Sequence, residues 1–265
     1  MENTSAISIS NLDVDYGSRR ILSNISFDIR QGEIMVIMGG SGSGKSTLLR
    51  TMLGLKKPSA GHINMLGTDI CHASQKELYK LREKMGVAFQ GGALFTSMSV
   101  TENIQLPLRE HTKLDENTIQ IMTRIKLDMV NLLPYENLMP SELSGGMKKR
   151  AALARAIIMD PKLLFFDEPS AGLDPITSAE LDNLIVMLKE TMRMTIVVVT
   201  HELESVFAIA DRIAILGDGE LIQVGTPEEI KSSTDERVIN LLNRTPRENI
   251  VDGDVHLQRL TRDNQ

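Results

Sequence analysis

The sequence predicts an α/β fold: a parallel-sheet core, an antiparallel β subdomain at its N-terminal end and a helical subdomain inserted in the middle. Three observations carry that expectation. Apolar residues alternate with polar ones from Ile7 to Ile29, at Ile7, Ile9, Leu12, Val14 and Tyr16, then at Ile25, Phe27 and Ile29 beyond a turn near Gly17 and Ser18. This is the pattern of antiparallel strands with one face on a core. Three short runs, "IMVIM" (Ile34 to Met38), "LLFF" (Leu163 to Phe166) and "TIVVV" (Thr195 to Val199), are instead apolar throughout, as strands covered on both faces of a parallel sheet are. Between the first and second of them, Ile119, Met122, Ile125, Met129 and Leu133 recur about once per helical turn. A helical subdomain is therefore expected from about Gly91 to Asp160, with these five residues on one face and its methionines filling core.

Towards the C-terminal end, "AILGDGELIQVGTPEEI" reads as a strand, an Asp218-Gly219 turn and a second strand from Glu220 to Val224. Thr226 then caps a helix that opens with Pro227, Glu228 and Glu229, residue types suited to a helix start. From about Lys231 the chain is polar except for a short amphipathic piece around Val238, Leu241 and Leu242.

With 42% hydrophobic and 24% charged residues in 265, the composition is that of a globular protein and excludes disordered and fibrous classes. A net charge of −6 argues against nucleic acid as the main partner, because phosphate neutralisation needs a basic face. The single cysteine, Cys71, fits a reducing compartment and provides no metal cluster. No secretion signal is expected from "MENTSAISIS", and the apolar runs are strand-length, far short of the roughly 18 residues a membrane helix needs. Any service to a membrane is expected from outside the bilayer.

Gly39 to Ser46, "GGSGSGKS", matches the phosphate-loop pattern directly after a buried strand. In such a loop the backbone N–H groups of Gly39, Gly40, Ser41, Gly42, Ser43 and Gly44 cradle β- and γ-phosphates and Lys45 adds a point charge. The Ser46 hydroxyl ligates Mg2+, and Thr47, beginning the next helix, completes the nucleotide-binding set. Asp167 closes the second buried run and points into the crevice where parallel sheets bind ligands, placed to hold Mg2+. Glu168, one step on, is the candidate general base for an attacking water. His201 follows the third buried run in the same way, in reach of a γ-phosphate. Gln90 after "MGVAF" is, on its own, a strand end.

"LSGG", with Ser144, Gly145 and Gly146 at a helix mouth, is a second candidate anion site. One nucleotide needs one phosphate loop. The second makes sense if it faces the γ-phosphate held by another copy, two chains about a two-fold axis completing each other's sites with two ATP molecules between them.

The ordered set "GGSGSGKS", Gln90, "LSGGM", "LLFFDE", "AGLD" and His201 resembles the nucleotide-binding subunit of ABC (ATP-binding cassette) transporters, from about Ile7 to Ile230. The resemblance implies a RecA-like P-loop NTPase core, an ATPase domain over 1–230 with the helical insertion at about 91–160, and an extension over 231–265. It implies ATP and Mg2+, with Glu168, His201 and Lys45 in catalysis. Tyr16 matches the aromatic that stacks on adenine, and Asp174 the aspartate that crosses the dimer interface. Gln90 joins Ser46 and Asp167 at the metal and links the site to the helical subdomain.

"FQGGALFTSMSVTENIQLPLREHT" and "LMPSELSGGMKKRAALARAI" look like the ATPases of MCE-type (Mla) phospholipid transporters, which maintain outer-membrane lipid asymmetry in Gram-negative bacteria. Met147 stands where the wider family has glutamine, a departure this group shares. The partners so implied are a second copy of the chain, a transmembrane permease, an MCE-domain lipid-binding protein and a STAS-domain protein, at the cytoplasmic face of the inner membrane. Leu94, Phe95 and Met98 beside Gln90 are candidates for the permease groove, and the extension is expected on the other copy or the STAS partner. Two readings stay open beside it: the ATPase of another permease, such as a polar amino-acid importer, and a soluble cassette acting on DNA or ribosomes. Against the second stand the acidic charge, the single cassette and the lack of a coiled coil between phosphate loop and "LSGG".

Overall fold

The structure, a computed structural model, describes residues 5–245. Strands β1 (Ser5–Tyr16) and β2 (Arg19–Arg30) form the expected hairpin, and β4 (Ala60–Met65) and β5 (Thr68–Asp69) extend it into a sheet ordered β2-β1-β4-β5. At its far edge His62 and His72 each bring Nδ1 to 2.9 Å from Asp69 Oδ2. Burial pushes the Asp69 carboxyl up, but these bonds and the Cys71 N–H outweigh it and hold the group at about 2.

The second sheet runs β10-β9-β3-β8-β7-β6, comprising β10 (Glu220–Gly225), β9 (Arg212–Gly217), β3 (Ile34–Gly39), β8 (Thr195–Val199), β7 (Leu163–Asp167) and β6 (Met85–Ala88). All neighbours are parallel except β10, which pairs antiparallel with β9 across the Asp218-Gly219 turn. The continuous apolar runs make sense here, because alternate residues of one strand enter different cores. Val36, Met38, Leu164, Phe166, Ile196 and Val198 face the helical side, while Met35, Ile37, Leu163, Phe165, Val197 and Val199 face the β subdomain. The central strands are thus a wall between two hydrophobic cores, covered on both faces.

The insertion between β6 and β7 holds α3 (Val100–His111), α4 (Glu116–Met129) and α5 (Gly145–Ala156). Each starts on a side-chain cap, Ser99 in a capping box with Glu102, Asp115, and Ser144. The predicted face of α4 needs correction. Ile119 is buried and Met122 and Met129 pack beside it, but Ile125 is 53% exposed, and Leu133 lies past the helix end in a 3-10 turn. Steps of three residues fall about 60° short of a full turn each time, so the series leaves the face by its third member. Thr123, Lys126 and Leu127 occupy the buried stripe instead, with the Lys126 ammonium 2.6 Å from Asp160.

After β10, α8 (Pro227–Lys231) starts on Thr226 in a capping box with Glu229. Helix α9 (Glu236–Leu242) places Val238, fully buried, in the core on the helical side, with Leu241 and Leu242 packed against it. The extension is expected from sequence on the other copy or the STAS partner; its apolar piece docks on the chain's own core. The rest of that expectation falls on residues 246–265, outside the described residues. Among the described residues no helix is long and apolar enough to cross a membrane.

Candidate nucleotide site

Neighbouring parallel strands β6, β7, β8 and β3 end in a row at one sheet edge. At or just past those ends come Gln90, Asp167 with Glu168, Thr200 with His201, and the phosphate loop. The register sets Asp167 against Val199, and Thr200 N–H donates to Ile37 O at 3.2 Å. Residues far apart in sequence therefore meet because they follow strands of one sheet.

The loop from β3 turns into α1 (Lys45–Met52) through Gly44, a left-handed N-cap at φ 100°. The conformation demands glycine, and a Cβ there would also lie 2.4 Å from Leu22 Cδ2 of the β subdomain and push that side chain aside. Lys45 Nζ turns back onto the carbonyls of Gly39 (2.7 Å) and Gly40 (3.1 Å). Burial holds its pKa below the usual lysine value against the pull of Glu168 and Asp167. Ser43 Oγ is buried without a hydrogen-bond partner among the described residues, a donor suited to an anion in the loop. Ser41, Gly42 and Ser46 are exposed; Gly40 and Thr47 are half-buried. Tyr16 is 44% exposed, with Lys56 Nζ 4.4 Å from its ring centroid.

Asp167 is half-buried, and burial together with the adjacent Glu168 raises its pKa. A pair of crowded carboxylates beside a phosphate loop is a donor set that a divalent cation fits, with hard oxygens and excess negative charge. Glu168 takes a left-handed φ of 50°, a conformation that costs a non-glycine residue roughly 1–2 kcal/mol. Several bonds hold it there. Its N–H donates to Val199 O (2.8 Å), Thr200 Oγ1 donates to Oε2 (3.1 Å), and His201 Nδ1–H donates to Oε1 (2.9 Å). A carboxylate only accepts, which fixes the proton on Nδ1. His201 thus orients the candidate base, a contact that strand-end placement alone did not reveal. Thr200, fully buried, joins the candidate site through this bond, although in the sequence only its adjacency to His201 points to it.

The second glycine loop forms the mouth of α5. Ser144 Oγ accepts the Met147 N–H at 3.3 Å, and Ser144 and Gly145 are exposed. A Cβ on Gly146 would lie 2.6 Å from Thr177 Cγ2 on α6 (Pro175–Met192), so close helix packing already requires glycine there. Met147 packs on the hydrophobic core and, with Gly146 and Thr177, lines a cavity of about 670 Å³. Asp174 caps α6, Oδ1 accepting from Ile176 N–H (3.1 Å) and Thr177 N–H (3.0 Å). Gln90 is exposed and shares a small cleft with Lys149 and Pro169.

A family model described as ABC transporter matches residues 22–171. The chain belongs to the ABC transporter family. It is 46% identical over 240 residues, 91% of each chain, to the intermembrane phospholipid transport system ATP-binding protein MlaF of Haemophilus influenzae. It is 43% identical to MlaF of Escherichia coli K12 over 257 residues, 96% of this chain and 94% of that one. The probable ribonucleotide transport ATP-binding protein mkl of Mycobacterium leprae is 42% identical over 88% of this chain and 67% of its own length. Among solved structures, the ATP-binding cassette MJ0796, a dimer in a post-hydrolysis state bound to ADP and Pi, superposes at TM-score 0.76 and 31% identity, over 83% of this chain and 98% of that one. The cbiO1 subunit from Clostridium perfringens superposes at 0.81, with 31% identity over 96% and 99%. The fold is that of an ABC ATPase cassette, and this ABC subunit binds and hydrolyses ATP.

Proposed function

We propose that this ABC ATPase is the motor subunit of a bacterial transporter that moves phospholipid between inner and outer membranes. Identity of 46% and 43% to two MlaF proteins over nearly the whole chain carries the reading. Two copies enclose two ATP molecules at the cytoplasmic face of the inner membrane, each phosphate loop facing the partner copy's Ser144–Gly146 mouth. Lys45 leaves the loop carbonyls for the phosphates. Ser46, Gln90 and Asp167 hold Mg2+, which neutralises developing phosphate charge when bound. Glu168, clamped by Thr200 and His201, accepts the proton of the attacking water, a contribution of roughly 10²–10⁴ in rate. Tyr16 gives up Lys56 for the adenine ring.

The permease groove is proposed along the loop that holds Leu94, Phe95 and Met98. Phe95 is 49% exposed, yet its loop is rigid: buried Asn103 bonds Phe95 N–H (2.8 Å) and the carbonyls of Phe95 (3.0 Å), Met98 (3.0 Å) and Ser99 (2.9 Å). A fixed loop presenting an exposed ring suits a docking surface that must transmit force. An MCE-domain lipid-binding protein and a STAS-domain protein complete the proposed complex, and residues 231–265 form an extension to the cassette that starts by docking α9 on its own core.

The test is affinity capture from solubilised native membranes with Glu168→Gln, which retains ATP-bound pairs, followed by mass spectrometry of protein and lipid. A permease, an MCE-domain protein and phospholipid are expected. A second reading, a ribonucleotide cargo, draws on the 42% identity to mkl. Capture of a permease without phospholipid would favour it.

A further inference from the structure

Lys149 has no part in the assignments above, yet its ammonium is among the most fully engaged groups at the site. It rises from α5 one turn after Gly145 and meets the carbonyl oxygens of Glu168 (3.4 Å), Pro169 and Ala171 (2.7 Å). These bonds use all three donors of a lysine. They close a gap between two functional segments of one chain, the α5 mouth with Ser144, Gly145 and Gly146, and the loop that carries Glu168. Gly146 also packs close to Thr177 on α6, the helix that follows that loop.

Glu168 is thus held from two sides. Thr200 and His201 grip its carboxylate, and Lys149 grips its carbonyl and the next turns of its loop. The backbone at Glu168 is left-handed, a state that persists only where its surroundings impose it. A charge-assisted cluster of carbonyls in a half-buried cleft is a strong constraint of that kind.

We propose that Lys149 is a positioning residue that couples the α5 mouth to Glu168 of the same chain, so that docking of the mouth on a neighbouring copy's nucleotide sets this copy's own base. It rests on the paired-copy reading above. The chemistry fits a coupling strut better than a ligand: Lys149 faces the chain's own carbonyls, and its reach is filled by them. Each site's chemistry then depends on occupancy of the other, which makes turnover cooperative in ATP.

The test compares Lys149→Met, which keeps length and loses the donors, with Lys149→Arg, which keeps charge and donors. Both are made in the full chain, in the complex in which it purifies, and ATP turnover is followed against ATP concentration. For Lys149→Met, kcat is expected to fall about 10- to 100-fold, KM to stay within about twofold, and the Hill coefficient to drop towards one. Lys149→Arg is expected to restore most of kcat and the cooperativity. Wild-type kcat and Hill coefficient in Lys149→Met overturn the proposal; so does a loss of ATP affinity and thermal stability that arginine does not rescue, the mark of a merely structural lysine. Sedimentation of Glu168→Gln with ATP separates the two readings. If that variant stays monomeric the paired-copy reading fails, whatever Lys149 does.

Discussion

Glu168 is the proposed general base, and the structure shows how much holds its one carboxylate. Thr200 spends its hydroxyl twice, donating to Glu168 Oε2 at 3.1 Å and accepting the Glu202 N–H at 3.1 Å. Thr200→Val keeps the volume and β-branching and deletes both bonds. A half-buried carboxylate that loses one of its two side-chain donors is less well aimed at a water, and the Glu202 N–H is left without its partner. Turnover is expected to fall about 10-fold and stability by about 1–3 kcal/mol, with ATP affinity unchanged. Parallel measurements of kcat, KM and chemical denaturation decide it, and an unaltered kcat would show that His201 alone suffices to orient the base.

At the scale of elements, α5 separates what sequence shows from what it hides. The strand-end residues Asp167, Glu168 and His201 were legible because an apolar run followed by a polar residue is a local pattern. The α5 mouth was legible as a glycine loop at a helix start. Its constraints were not, since Thr177, which presses on Gly146, and the carbonyls that bind Lys149 lie far along the chain. The same reason explains α9, whose docking partner is the cassette itself; Ile125 is different, because it leaves the face that α4 turns to α3 and α5 through the drift of three-residue steps. Gly146→Ala tests both demands on the mouth. The new methyl meets Thr177 Cγ2 at 2.6 Å and should cost about 1–3 kcal/mol of overpacking. Adding Thr177→Ser removes the obstructing carbon, so the melting temperature is expected to recover. Turnover is not expected to recover if the backbone of the mouth must also approach a phosphate. Full recovery of both would reduce the second glycine to a packing device.

For the whole molecule, the ends of the parallel strands are open where the phosphate loop, Asp167, Glu168 and His201 converge, and one chain carries two candidate anion-binding loops for one nucleotide. Complementation between two damaged copies addresses whether those loops are shared. Lys45→Ala removes the charge of the phosphate loop and leaves the α5 mouth; Ser144→Arg blocks the mouth and leaves the phosphate loop. Each alone should be inactive, because in a symmetric pair every site contains one damaged part. Mixed in equal amounts, random pairing makes half of the dimers hybrids, each with one intact composite site of two, so about a quarter of wild-type turnover is the ceiling. Coupling through Lys149 lowers the yield below that ceiling, because the intact site draws its Glu168 from the copy whose own mouth is blocked. A mixture clearly above both parents places each site between two chains. A mixture as silent as its parents, in a preparation where hybrid dimers are shown to form, would mean that each chain completes its own site and that the second glycine loop serves something other than the neighbour's ATP.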